Sequence, residues 1–332
     1  MATAAINIDR KDDLQRAKML LKHPKRDAQI VREHVRTGRF ERSLSFVAGT
    51  ASLISGLEVS YEHYKGSYGQ RIMYTPVILS GALFGAGIWG AFGGSAARKT
   101  LRAVSAITLA DCFVGFFFHI RGIQRKPGGW RIPVANIVMG PPLFAPLLFG
   151  TSAYLGLIAS FLRPEETARG MRLERRASSS LPKILPAKTR DELIDEEQNI
   201  RHGRFRHHMG IITAASAIFS GFEALYSHYK NNFRYAAQWT PIILAPALAA
   251  TSIVAIRNEW TAKRVLPALS VAAGADAAVG FFYHARGIAR RPGGRKHLVY
   301  NILYGPPIFA PLLFGAAAMF GLLTSMLRSA KR

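Results

Sequence analysis

DCFVGFFFHIRGIQRKPGG at 111–129 returns as DAAVGFFYHARGIARRPGG at 276–294, an offset of 165 residues. Each copy reads as an apolar helix that ends in cations and a Pro-Gly-Gly turn. Working outward at the same offset, SGLEVSYEHYK (55–65) matches SGFEALYSHYK (220–230). Downstream, NIVMGPPLFAPLLFG (136–150) matches NILYGPPIFAPLLFG (301–315). Residues 36–163 pair with 201–328 without a gap, giving 55 identities in 128 positions. A constant offset kept through every loop is the mark of an internal duplication.

A bilayer core asks for about 20 apolar residues per helix. Such stretches lie at 43–62, 73–97, 101–119 and 133–162, and again at 208–227, 238–257, 264–284 and 298–327. The expected fold is an all-α integral membrane protein, with eight transmembrane helices as two tandem four-helix repeats. An even number of spans sends both copies in from the same face, so the repeats are expected to be parallel. The expected division is a cytoplasmic cationic segment (1–42), a first repeat (43–163), a polar cytoplasmic linker (164–200), a second repeat (201–328) and a basic tail (329–332). The linker opens with Pro164-Glu165-Glu166, carries Ser178-Ser179-Ser180 and closes on Asp191, Glu192, Asp195, Glu196 and Glu197.

The 332 residues hold 44 Lys and Arg against 20 Asp and Glu, a net charge of +24. Such an excess suits nucleic acid or an anionic membrane surface. A hydrophobic share of 49% beside 19% charged residues favours the lipid bilayer and excludes a disordered chain. The basic stretches lack interleaved aromatics, so no nucleic-acid partner is expected. The single cysteine, Cys112, excludes a disulfide framework, a Cys-based metal cluster and covalently attached c-type haem. No signal-peptide core stands in residues 1–42. Of the 44 cations, 31 fall on the N-terminal side of the spans, which predicts a cell-membrane protein with both termini cytoplasmic.

An ionisable residue inside a span is a functional candidate because burying it in hydrocarbon is costly. The duplication filters these candidates. Of ten histidines only His63/His228 and His119/His284 match in register. Glu58/Glu223, Tyr61/Tyr226, Lys65/Lys230, Asp111/Asp276 and Arg121/Arg286 also match, whereas Cys112 faces Ala277. Gly56 lies on the face of His63, and Gly115 and Gly122 share a stripe with Asp111 and His119. For Asp111, the matched polar neighbours expected within the bilayer are Glu58 and Asn136.

Four functions compete. In the first, His63, His119, His228 and His284 ligate b-type haem, with glycines giving room for a flat macrocycle. Lys65, Lys230, Arg121, Arg286, Arg125 and Arg290 then neutralise propionates, and Asp111 and Asp276 orient the imidazoles or relay protons. The architecture, though not the motifs, resembles the haem-carrying membrane anchors of respiratory dehydrogenases. That resemblance implies a redox subunit, no enzyme by itself, passing electrons between quinone and an outer-face partner protein. In the second, a transporter or channel takes a small anionic or polar solute. Its site lies at the broken fourth helices, marked by Gly140, Pro141, Pro142 and Pro146 and by Gly305, Pro306, Pro307 and Pro311. The third is a non-haem metal held by Glu58, His63, Asp111 and His119, though Glu58 and His63 stand about 140° apart around one helix. The fourth is a scaffold or anchor without a ligand.

Overall fold

Proline in the first turn opens helix after helix in this chain: Pro76, Pro133, Pro146, Pro241 and Pro311 all sit there. Its fixed φ suits a helix start, and its missing N–H is one the first turn leaves unpaired anyway. A computed structural model describes residues 24–162 and 186–330. The linker features Pro164-Glu165-Glu166 and Ser178-Ser179-Ser180, the first 23 residues and the last two lie outside the described residues.

The described residues are helical, with no strand among them. In order they form α1 (Pro24–Thr37), α2 (Glu41–Lys65), α3 (Thr75–Phe92), α4 (Ser95–Gln124), α5 (Pro133–Val138) and α6 (Ala145–Phe161). From residue 187 on come α7 (Ala187–Arg201), α8 (Arg206–Lys230), α9 (Thr240–Ala255), α10 (Leu266–Ala289), α11 (Leu298–Leu303) and α12 (Ala310–Met326). The acidic end of the expected linker is thus itself a helix, α7.

Among the described residues, six segments are long and apolar enough to cross a membrane by length and composition: Glu41–Lys65, Arg71–Phe92, Ser95–Gln124, Arg206–Lys230, Ala236–Ala255 and Thr261–Ala289. Eight spans were expected, and the difference lies in the fourth stretch of each half. There the chain divides into a six-residue helix, a break, and a helix of 17 residues. Gly140-Pro141-Pro142 and Gly305-Pro306-Pro307 occupy the breaks. Each proline removes a backbone donor and pushes the residue before it out of helical geometry. Seventeen residues reach about 25 Å, short of the roughly 30 Å hydrocarbon core.

Small residues let the helices approach closely. A Cβ on Gly87 would stand 2.7 Å from both the Cα of Gly49 and the carbonyl oxygen of Ser45. Buried hydroxyls turn back onto their own helices, as Ser45 does to Glu41 (2.8 Å) and Thr213 to Met209 (2.7 Å). Helix α2 packs on α3 and α6, and α8 packs on α9 and α12. The halves meet where α6 reaches α8 and where α11 reaches α2. One apolar cluster runs through both, joining Leu44, Leu101 and Leu155 to Phe205, Phe320 and Leu327. Gly38 and Gly203 adopt φ of +73° and +68°, where other residues are strained, and their chains cross at backbone distance.

Candidate functional site

The four matched histidines stand near the C-terminal ends of long helices, and each Nδ1–H donates to a carbonyl of the next element. His63 bonds Met73 O at 2.7 Å and His228 bonds Gln238 O at 2.8 Å. His119 bonds Pro142 O at 2.5 Å and His284 bonds Pro307 O at 2.6 Å. A carbonyl can only accept, so the proton sits on Nδ1 and a neutral ring keeps the Nε2 lone pair. His63 and His119 lie within electrostatic reach of each other, as do His228 and His284. The bonds fasten α2 to the turn before α3, and α4 to the break before α6.

The glycines expected beside a macrocycle are filled by protein. A Cβ on Gly115 would meet Pro146 at 3.3 Å, and one on Gly122 would meet Pro141 at 3.1 Å. Gly280 and Gly287 face Pro311 and Pro306 in the same way, at 3.2 and 3.1 Å. Gly56 is closed by Ser80, whose Oγ stands 2.0 Å from the ideal Cβ position.

Asp111 is neither unpartnered nor beside Glu58 or Asn136 as its hydrogen-bond neighbour. The Thr75 hydroxyl donates to its Oδ1 at 2.8 Å, and the Thr240 hydroxyl donates to Asp276 likewise. Both threonines begin helices as Thr-Pro, and both match in register. The sequence therefore carried a signal for them that attention to charged groups passed over. Asn136 instead donates to Pro127 O (3.0 Å) and Gly129 O (2.7 Å), bracing the Pro-Gly-Gly loop. Asn301 braces Pro292 O and Gly294 O at 3.3 and 3.0 Å.

The glutamates behave differently from each other. Glu223 Oε1 accepts the Phe144 N–H at 3.0 Å, capping α6 of the other half, and Tyr226 donates its hydroxyl to Oε2. Phe144 stacks on Phe219 with centroids 4.7 Å apart, so the broken helix is seated on α8. Glu58 has the Tyr61 hydroxyl 3.5 Å from Oε1, while its buried Oε2 has no partner. Glu58 and Glu223 are within electrostatic reach across the interface.

The expected anion contacts are partly engaged. Lys65 pairs with Glu62 at 2.7 Å and lies 5.1 Å from the Tyr61 ring centroid. Lys230 lies 5.5 Å from the Tyr226 centroid. Arg121 and Arg286 occupy the last turns of α4 and α10, and Arg125 and Arg290 cap those helices through their backbone N–H. One open cavity lies between the halves and another lies within the second half. One, of about 670 Å³, lies between Tyr64 and the 295–304 segment. The other, of about 630 Å³, is lined by Lys230, Arg234, Tyr235 and Pro306 among others.

Among the described residues, the fold and site define an all-helical protein with six candidate membrane-spanning helices and a polar cluster where its halves meet. Comparison with protein-family models, curated proteins and solved structures gives no match.

Proposed function

We propose that the chain is a cell-membrane transporter for a small polar solute, built as two parallel four-helix halves with both termini cytoplasmic. In it, the broken α5–α6 and α11–α12 stretches complete eight crossings, and the Glu58–Glu223 cluster carries a proton that couples solute movement. Exposed Tyr64, Tyr74, Tyr235 and Trp239 at one end of the helices, with Trp89, Phe92 and Trp260 at the other, support a bilayer setting. Gly/Pro breaks at equivalent points of two repeats are the usual marker of a transporter site.

One observation carries the assignment to the interface. Glu223 caps the broken helix of the opposite half, while the matched Glu58 keeps a buried oxygen without a partner. A proton on Glu223 weakens its hold on the Phe144 N–H, and a proton on Glu58 removes the charge that its unpartnered oxygen would otherwise share. The proton position thus biases how the halves meet. The half-helix N-terminus, where an anion would dock, already holds a carboxylate. That directs the solute preference from anionic toward neutral or cationic.

The test uses the full chain in vesicles loaded with a pH-sensitive dye, under a potassium diffusion potential. Protein-dependent proton entry is expected, and Glu58→Gln with Glu223→Gln should abolish it. Entry no faster than in protein-free vesicles sinks the proposal.

A second function, the redox subunit with b-type haem, quinone and an outer-face partner, is favoured by one fact. Each Nδ1–carbonyl bond leaves Nε2 free for a ligand. The filled glycine positions weigh against it. A Soret band in protein purified from haem-replete cells would bring it to the front.

A further inference from the structure

The repeat filter discards His207 and His208, since they face Arg42 and Ser43 in the other half. The fold nevertheless brings them to a third donor. Helix α7 ends at Arg201, the chain turns, and α8 begins at Arg206, so the first turn of α8 lies against α7. Glu196 Oε1 stands 2.6 Å from His208 Nε2. The rings of His207 and His208 are 3.9 Å apart at a 37° tilt. One donor atom from each of the three residues lies within 4.8 Å of the other two, and all three side chains are half-buried.

We propose that Glu196, His207 and His208 form a divalent transition-metal site, with zinc as the best-matched ion. Two imidazoles and a carboxylate are a recurrent zinc donor set, with a fourth position left for water. Bonds of about 2.0–2.1 Å place tetrahedral ligands about 3.3 Å apart, which rotation of the side chains supplies. The local charge permits it: Arg201 is spent on Glu197 at 2.7 Å, and Arg204 bonds Asn199 at 3.3 Å. Tyr154 of α6 lies within electrostatic reach of Glu196, and α6 packs against α7, so the first half stands near the cluster. The metal would fasten the end of the connector to the second half, independent of any transport role.

The experiment is zinc titration of the full chain, purified with a histidine-free tag and stripped with chelator, against a competing chromophoric chelator. One zinc per chain is expected, together with a rise in thermal stability. His207→Gln keeps the Glu196–His208 contact yet removes one donor, and it should weaken zinc binding about tenfold or more. His208→Ala should lose the zinc-dependent rise altogether. If His207→Gln binds zinc as tightly as the parent, or the parent takes up none, the cluster is an ion pair only and the site is refuted.

Discussion

Residues 41–161 and 206–326 make the same fastenings with different charges. His63 and His228, Asp111 and Asp276, Asn136 and Asn301 find equivalent partners in each half. At the opposite end of the helices the ion pair is rebuilt on other positions. In the first half Glu41 pairs with Arg98 at 3.3 Å, while in the second Arg206, in the place of Glu41, pairs with Glu259. Position and geometry are kept where a helix end must be held, whereas the ion pair moves: Glu259 stands where the first half has Gly94, and Arg98 matches Lys263. Glu58 and Glu223 depart further, one capping the opposite half and one holding a lone oxygen.

The largest effect should come from the breaks. A Cβ on Gly140 would lie 2.3 Å from Asn136 O, and one on Gly305 would lie 2.2 Å from Asn301 O. Backbone cannot yield as a side chain does, so Gly140→Ala and Gly305→Ala should each cost about 3 kcal/mol in thermal unfolding. Gly81→Ala, with open space around it, should gain up to about 1 kcal/mol. A large loss in only one half would end the equivalence of the breaks. Next, Glu223→Ala strands the Phe144 N–H and should cost about 1–3 kcal/mol, whereas Glu58→Ala should be neutral or stabilising. Equal losses would erase the asymmetry.

The smallest effect concerns acid. The Arg206 guanidinium beside Glu259 holds its carboxyl below the usual range. A folded pKa below the unfolded one means stability that is full above about pH 4.3 and lost as pH falls through the folded value. Glu259 is 51% exposed, so solvent screening limits the contribution to about 0.5 kcal/mol. Glu259→Gln should therefore make acid unfolding slightly less steep, and an unchanged acid limb would remove this pair from the comparison.

The helices were legible because apolar length and Pro/Gly punctuation act locally, and α2 begins and ends within three residues of its expected bounds. The breaks were legible as motifs, since Gly-Pro-Pro defeats a helix wherever it stands. Their cost in length was not, because a count of apolar residues ignores where the helix stops. The carbonyl partners of His63 and His228 were hidden, as Met73 and Gln238 accept through main-chain oxygens that every residue carries, and the two residues differ. Glu196, His207 and His208 were hidden for another reason: they have no counterpart at the 165-residue offset, so matching the two stretches passes over them.

Helix α4 runs for 30 residues, about 45 Å, beside α6 at 17 residues, about 25 Å. In a bilayer with a core of about 30 Å, one member of this packed pair would be too long and the other too short. Bilayers resist such mismatch elastically, at a fraction of a kcal/mol per Å. In a bilayer the surrounding lipid would be a spring set against the break, and acyl-chain length would act as a control on the protein from outside.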